Sequence, residues 1–422
     1  MLETFINNYD QYICVEKVLE LLKKWNPWEK EIAAGIRREE YLKKILPYVE
    51  RREVLALKGI RRSGKSTILL QIMEELLRSG IENKQILYLN LEEYGFADSL
   101  TPELFEVVLN TYLAYSKNKR KTYFFIDEIQ KIKGWERWVR TQYDRGENIK
   151  FIVSGSSASL LSKELSTLLT GRNISFTILP LSFREFVQFT KEEDLTTYLV
   201  FGGFPEVVLE PSKEKKERLL QQYFEDITHK DIIDRYNVRN TKQVLDLARY
   251  LVSTSGAKVS VNKLSRVFGI AKDTLQSYMN YMLDAFLISE VPFFSYSAKG
   301  RHDVSKLPKL YCVDLGFVYI TNTTRSKNRG QLFENAVFGE LLRQSKEICY
   351  WSDQRAEVDF VTETTAINVT ATNTMPAREK QGLEMFNKKS KGHALLIISD
   401  SLKKENIVPL KEFLLTEMVS SN

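Results

Sequence analysis

The chain has 422 residues, more than one hydrophobic core usually organises, so two or three domains are expected. Its 43% hydrophobic and 27% charged residues are those of a folded chain, and no segment has the composition of disorder. No stretch approaches the roughly 20 apolar residues of a membrane helix, and MLETFINNYDQYICVEK has no basic and then apolar leader, so secretion and a membrane partner are not expected and a cytoplasmic location is. Cys14, Cys312 and Cys349 lie far apart with neither a disulfide framework nor metal-ligand spacing, and read as packing residues of a reducing compartment. The net charge of +6 comes from 61 basic and 55 acidic residues mixed along the chain, which permits a nucleic-acid partner without indicating one. SKEKKER (212–218) and LKKEN (402–406) read as solvated helix faces.

In chain order, Val15, Val18, Leu19 and Leu22, then Tyr41, Leu42, Ile45 and Leu46, have helical spacing, and Pro27 divides them into two segments. A helical N-terminal extension is assigned to 1–45. EVLALKG is a short strand ending in a glycine loop, and STILLQIMEELLRSG is a helix with Gly80 as its C-terminal cap. QILYLNLEE, TYFFIDEIQ and IKFIVSGSS are three further strands with helical segments between them, so a parallel sheet covered on both faces is expected over 46–180. A helical lid or linker follows over 181–238. KQVLDLARYLVST, VNKLSRVFG and KDTLQSYMNYMLDAF read as three helices, and LISEVPFFS and KLYCVD as two strands across a basic loop, which predicts a winged helix over 239–325. From 326 to 422 a helix, QLFENAVFGELLRQ, precedes the strands EICYWS, EVDFVTE, TAINVTA and ALLIISD, a second α/β domain.

Gly59-Ile-Arg-Arg62-Ser63-Gly64-Lys65-Ser66-Thr67 fits G-x-x-x-x-G-K-[ST] after a strand and at the start of a helix. Its glycines let backbone N–H groups and the helix N-terminus cradle the phosphates of a nucleotide. Lys65 is expected on the β- and γ-phosphates and Ser66 on Mg²⁺. Tyr123-Phe-Phe-Ile-Asp127-Glu128 delivers two carboxylates at a strand's C-terminal end, where open α/β sheets bind ligands. Asp127 is expected to hold Mg²⁺ and Glu128 to orient or deprotonate the attacking water. Ser154, or one of Ser156 and Ser157, is either a sensor of the γ-phosphate or a turn-forming serine. Arg172 either reaches the pocket of a neighbouring subunit in a homo-oligomer, as a catalytic arginine, or makes an ordinary salt bridge. His229, on an amphipathic helix, reads as structural.

With GIRRSGKST, YFFIDEIQKIKGWERWV, FIVSGSSASLL, LTGRNISFTILPLSFREF and FGGFPEVVL, the sequence resembles the archaeal and bacterial AAA-type ATPases that carry a restriction-endonuclease-like C-terminal domain. The resemblance spans nearly all of 40–400. It implies an α/β architecture of an AAA-like P-loop domain with ATP and Mg²⁺ as cofactors, a winged-helix domain and a C-terminal fold of the PD-(D/E)xK type. It also implies ATP rather than GTP, and no guanine-reading N-K-x-D follows the loop. In that fold a divalent metal is held by a helix glutamate, a strand aspartate and an E-x-K triplet; Glu334 and Asp359 match the first two, whereas the triplet falls on Asn368-Val369-Thr370. Glu357 and Lys380 are candidates to compensate, a degenerate domain kept for its fold is the simpler expectation, and no nuclease activity is expected. A DNA partner would meet Lys272, Gln276 and Tyr278 on the third helix and Lys299, Arg301 and His302 on the wing, unless the module serves intramolecular packing. The leading reading is an ATPase whose cycle repositions the winged helix and C-terminal domain on DNA; the rivals are a slowly hydrolysing scaffold for protein partners and an ATP-dependent nuclease.

Overall fold

The computed structural model describes residues 15–156, 171–295, 306–322, 329–344, 347–373, 377–390 and 392–416. Contacts divide the chain into two compact units, Met1–Gly59 with Gly64–Ile178, and Ile60–Ser63 with Leu179–Asn422.

In the first unit the helices α1 (Val15–Trp25) and α2 (Glu39–Ile45) precede β1 (Val54–Lys58), α3 (Lys65–Arg78), β2 (Ile86–Asn90), α4 (Glu103–Ser116), β3 (Thr122–Asp127), α5 (Trp135–Arg145), β4 (Ile149–Gly155) and β5 (Asn173–Thr177). The five strands form a parallel sheet in the order β2-β3-β4-β1-β5. Successive strand side chains point to opposite faces, and the core divides accordingly. Val54, Ala56, Leu87, Leu89, Phe124, Ile126, Phe151 and Val153 pack under α1, α4 and α5. Leu55, Leu57, Ile86, Tyr88, Tyr123, Phe125 and Ile152 pack under α2 and α3. Near-continuous apolar strands are what a sheet buried on both faces requires.

The sequence reading gave four of these strands. The fifth, β5, is short and only half-buried, with the pattern Asn-Ile-Ser-Phe-Thr, so it lacks the apolar run that marks the other four. It pairs with β1 from Val54 opposite Asn173 to Lys58 opposite Thr177. At the other edge, β2 is covered by the segment after α1. Asn26 is fully buried; its amide accepts the Tyr88 N–H at 2.6 Å and donates to the Tyr88 carbonyl at 2.9 Å, while the Trp28 indole N–H reaches the Ile86 carbonyl at 2.7 Å. An edge strand with unpaired backbone groups is a template for unwanted pairing, and these side chains close it.

The second unit opens with α6 (Phe183–Thr190), α7 (Leu195–Phe201), α8 (Pro205–Leu209) and α9 (Lys213–Asp226), the last running into a π-helical segment, Ile227–Asp234. Then come α10 (Thr241–Ser253), α11 (Val261–Phe268), α12 (Lys272–Asp284) and the antiparallel pair β6 (Ile288–Val291) and β7 (Lys309–Cys312). After α13 (Leu315–Thr321) and α14 (Arg329–Gln344) comes a mixed sheet of β8 (Cys349–Ser352), β9 (Glu357–Val361), β10 (Thr365–Val369), β11 (Ala394–Ser399) and β12 (Ile407–Pro409). Its order is β12-β11-β10-β9-β8; α15 (Ala377–Lys389) lies between β10 and β11 in the chain, and α16 (Leu410–Leu415) follows β12. One cluster joins Leu181, Phe183 and Tyr198 of the early helices to Val291 and Tyr311 of the β6–β7 pair and to Phe338, Phe360, Ile367 and Phe413, so these parts share a core. No helix among the described residues is long and apolar enough to cross a membrane.

Removing the Asn26 amide leaves the Tyr88 N–H and carbonyl of the edge strand without that partner. Asn26→Ala is expected to lower stability by about 1–3 kcal/mol, measured by denaturant unfolding of the full chain; a loss below about 0.5 kcal/mol would mean that water replaces the amide at the edge.

Candidate functional site

β1, β4 and β3 lie side by side, so the loop after β1 and the acidic end of β3 are separated only by the end of β4. Gly59 begins the loop at φ +152°, and a Cβ there would lie 2.1 Å from the Ile178 carbonyl oxygen, which excludes any other residue in this backbone. Arg62 is also left-handed, at φ 68°, and Gly64 at φ +94° forms the N-cap of α3. The Ser63 N–H donates to the Ile60 carbonyl at 3.3 Å and keeps the turn closed.

At the head of α3, Lys65 is buried, and its ammonium donates to the Gly59 carbonyl at 3.1 Å and lies 3.9 Å from Glu128 Oε1. Ser66 is exposed and Thr67 half-buried. Asp127 is buried and accepts hydrogen bonds from the hydroxyls of Ser66, Ser154 and Tyr88, the last at 2.9 Å. Burial, with the neighbouring Glu128 charge, pushes the Asp127 carboxyl above the ordinary carboxylate range, and the three hydroxyls work against that rise. Glu128 is left-handed at φ 55°; its N–H donates to Ser154 Oγ at 3.1 Å, and its second carboxylate oxygen accepts from the Gln130 amide. That amide also donates to Ser156 at 3.2 Å.

The sequence-derived residues Gly59, Gly64, Lys65, Ser66, Asp127, Glu128 and Ser154 are thus brought together at the C-terminal edge of one sheet. Ser154 engages Asp127 and the Glu128 amide rather than lying open. Ser157 is outside the described residues. Arg172 is not brought to this edge. Its carbonyl accepts the Val54 N–H at the start of β1, the opposite end of the strands, and its side chain meets Asp144 at 3.3 Å and the Tyr143 ring at 5.7 Å. Sequence reasoning missed Tyr88 and Gln130. Tyr88 stands on the strand beside β3, two residues before the Asn90 that pairs with Asp127, and nothing local marks its hydroxyl as a partner of the carboxylate.

Hydroxyl and carboxylate oxygens are the hard donors that Mg²⁺ takes, so Ser66 and Asp127 fit the ion that the loop motif implies. In the second unit Arg61 makes a two-pronged pair with Asp231 of the π-helical segment, at 2.9 and 3.0 Å, and Arg62 lies 5.2 Å over the Tyr223 ring. His229, on the same segment, is exposed.

The C-terminal residues singled out in the sequence also converge, around a residue that the sequence did not suggest. Lys309 of β7 is buried, and its ammonium lies 3.1 Å from Glu334, 2.7 Å from Glu357 and 3.3 Å from Asp359. Tyr311, two residues on and therefore on the same strand face, donates to Glu334. Burial works against the Lys309 charge, but attraction to Glu334, Asp359 and Glu357 outweighs it and raises the ammonium pKa above its ordinary value. Burial and Asp359 push the Glu334 carboxyl upward, against the pull of Lys309 and Tyr311. Asn368 holds backbone: its carbonyl oxygen accepts the Asp359 N–H at 3.0 Å, and its amide donates to the carbonyls of Glu357 at 3.3 Å and Glu379 at 2.9 Å. Lys380 is exposed, so the lysine that reaches the cluster is Lys309 and not Lys380. On α12, Lys272 and Gln276 are exposed, but Tyr278 is buried in the helical core, which corrects its assignment to a nucleic-acid surface. Lys299, Arg301 and His302 lie outside the described residues. Cys312 is buried and Cys349 half-buried, both unbridged, and Cys14 lies outside the described residues.

The sheet order, the glycine loop at the head of α3 and the paired carboxylates define a P-loop domain of the AAA type. Residues 51–187 match the AAA domain family, residues 192–327 a domain of unknown function (DUF8612) and residues 329–413 another (DUF4143). An uncharacterized protein of Methanocaldococcus jannaschii is 32% identical over 73% of this chain and 72% of its own length, and one of Haemophilus influenzae is 31% identical over 78% and 84%. The chain belongs to the AAA-type P-loop ATPase family that these uncharacterized archaeal and bacterial proteins represent. Among solved structures, the Aeropyrum pernix ORC1 protein in complex with DNA aligns at 11% identity over 69% of this chain and 93% of its own, with a TM-score of 0.31. C. elegans PCH-2 aligns at 11% identity over 61% and 73%, also with a TM-score of 0.31, and likenesses this slight add nothing to the reading of the site.

Asn in place of Asp127 keeps the side-chain shape and removes a buried charge, and the hydroxyl that meets its NH2 group has to turn and accept. Asp127→Asn is therefore expected to raise the melting temperature of the nucleotide-free chain by a few degrees, roughly the effect of 1 kcal/mol at this size, and to abolish further stabilisation by Mg²⁺ with nucleotide. Thermal denaturation in both conditions reads the two effects, and a lowered nucleotide-free melting temperature would mean that the charge itself holds the strand ends together.

Proposed function

We propose that the chain binds and hydrolyses Mg-ATP and that the cycle rearranges the winged-helix and C-terminal parts of the second unit, which act on DNA. The observation that carries the reading is the cluster of Lys65, Ser66, Asp127, Glu128 and Ser154 at one sheet edge. Gly59, Arg62, Ser63, Gly64 and Thr67 shape the loop whose N–H groups receive the phosphates. Lys65 takes the β- and γ-phosphates, and Ser66 and Asp127 hold Mg²⁺, which when bound neutralises charge on the phosphate oxygens. Once a phosphate draws the ammonium away, Glu128 is relieved of Lys65 and can orient the attacking water and accept its proton. Ser154 acts through Asp127 and Glu128 by fixing both.

The coupling rests on the loop itself. Ile60–Ser63 group with the second unit, and Arg61 is clamped by Asp231 within a π-helical segment, a distortion frequent at functional sites. The helices α10, α11 and α12 and the pair β6–β7 follow the order of a winged helix, and exposed Lys272 and Gln276 supply a DNA-facing surface on α12. Arg172 serves a neighbouring subunit only if assembly breaks its pair with Asp144. One observation favours a slow, scaffold-like ATPase instead: Glu128 is held by both Lys65 and Gln130.

Steady-state ATP hydrolysis with and without single-stranded and duplex DNA tests the reading, with the parent chain and Asp231→Asn compared. DNA is expected to stimulate the parent about fivefold or more, and Asp231→Asn to lose stimulation to a greater extent than basal turnover. Slow hydrolysis indifferent to DNA would overturn the DNA assignment in favour of the scaffold.

A further inference from the structure

We propose that Lys309 is a tethered cation that fills the centre of the Glu334, Glu357 and Asp359 cluster, so that no divalent ion enters and the β6–β7 pair is locked to the C-terminal sheet. The geometry carries this. The ammonium lies 2.7–3.3 Å from one oxygen of each carboxylate, and a divalent ion bound to the same oxygens, at about 2.0–2.6 Å, would require the same space. The second oxygens of Glu357 and Asp359 are also engaged from within the chain. Lys258 pairs with the other Glu357 oxygen at 2.7 Å and the Val369 N–H donates to the other Asp359 oxygen at 2.9 Å, while Tyr311 donates to the same Glu334 oxygen that Lys309 meets.

The lysine and the acids come from different elements. Lys309 and Tyr311 stand on β7, Glu334 on α14, and Glu357 and Asp359 on β9. An ammonium buried as Lys309 is would be strongly unfavourable without counter-charge, so the three partly exposed acids hold β7 to α14 and β9. Asn368 completes the closure: an amide there adds no negative charge and bonds to the backbone on either side of the cluster. Lys309 thus stands among the acids at the place where the resemblance implies a metal ion. The consequence is mechanical, because displacement of the β6–β7 pair is transmitted to the C-terminal sheet.

The test is thermal unfolding of the full chain carrying Lys309→Met, with and without millimolar Mn²⁺, in an Asp127→Asn background so that the ion reads the C-terminal cluster alone. Lys309→Met is expected to lower the melting temperature by about 5–10 °C. Mn²⁺ should restore most of that loss by binding the exposed acids and leave the parent unchanged. Adding Glu334→Gln and Asp359→Asn to Lys309→Met should restore stability without any ion. Equal stabilisation of parent and variant by Mn²⁺ would overturn the proposal, as would an unchanged melting temperature in Lys309→Met. If Lys309→Met does not fold, the neutralised triple variant decides: a folded protein supports the tethered cation, and failure to fold rejects it.

Discussion

Three hydroxyls fix the Asp127 carboxylate, and the nucleotide site depends on that arrangement. Ser66 comes from the helix after the loop, Tyr88 from β2 and Ser154 from β4, so one buried acid ties together the neighbouring strand ends and the head of α3. A carboxylate buried without such donors would favour its neutral form and be a poor ligand for a cation. Here the donors oppose burial. The same Ser154 hydroxyl also receives the Glu128 N–H, so the two acids of the strand end are positioned by a single side chain. The parallel sheet supplies the placement, because only strands with their C-terminal ends together bring Gly59, Asp127 and Ser154 to one edge.

Much of this was legible in the sequence because the signals are local. The loop motif is nine consecutive residues, and each of the first four strands is an apolar run bounded by turns or acids. β5 escaped because it is only half-buried, and its polar Asn173 and Ser175 alternate with only two bulky apolar residues. The partners of the site escaped for another reason. Tyr88 and Asp231 contribute through contacts across strands or long stretches of chain, for which a single sequence has no periodicity. The Tyr278 error arose from assigning a helix face by motif, whereas packing against the helical core decided it.

Lys309 is the clearest case of a residue whose meaning exists only in three dimensions. In KLYCVD it begins an unremarkable strand, and the expectation for a lysine is a solvated surface. Its burial among Glu334, Glu357 and Asp359 connects β7, α14 and β9. The two units therefore hold their carboxylates in contrasting ways: in the first, hydroxyls bond a buried acid, and in the second, a buried ammonium gathers three partly exposed acids.

Single-turnover hydrolysis of Mg-ATP by the parent and by Glu128→Gln, with nucleotide binding measured in parallel, tests the central claim most directly. The account predicts equal binding and a turnover reduced by about 100-fold or more in the variant. Hydrolysis by Glu128→Gln at the parental rate would contradict it, because the carboxylate held between Lys65 and Gln130 would then have no part in the chemistry.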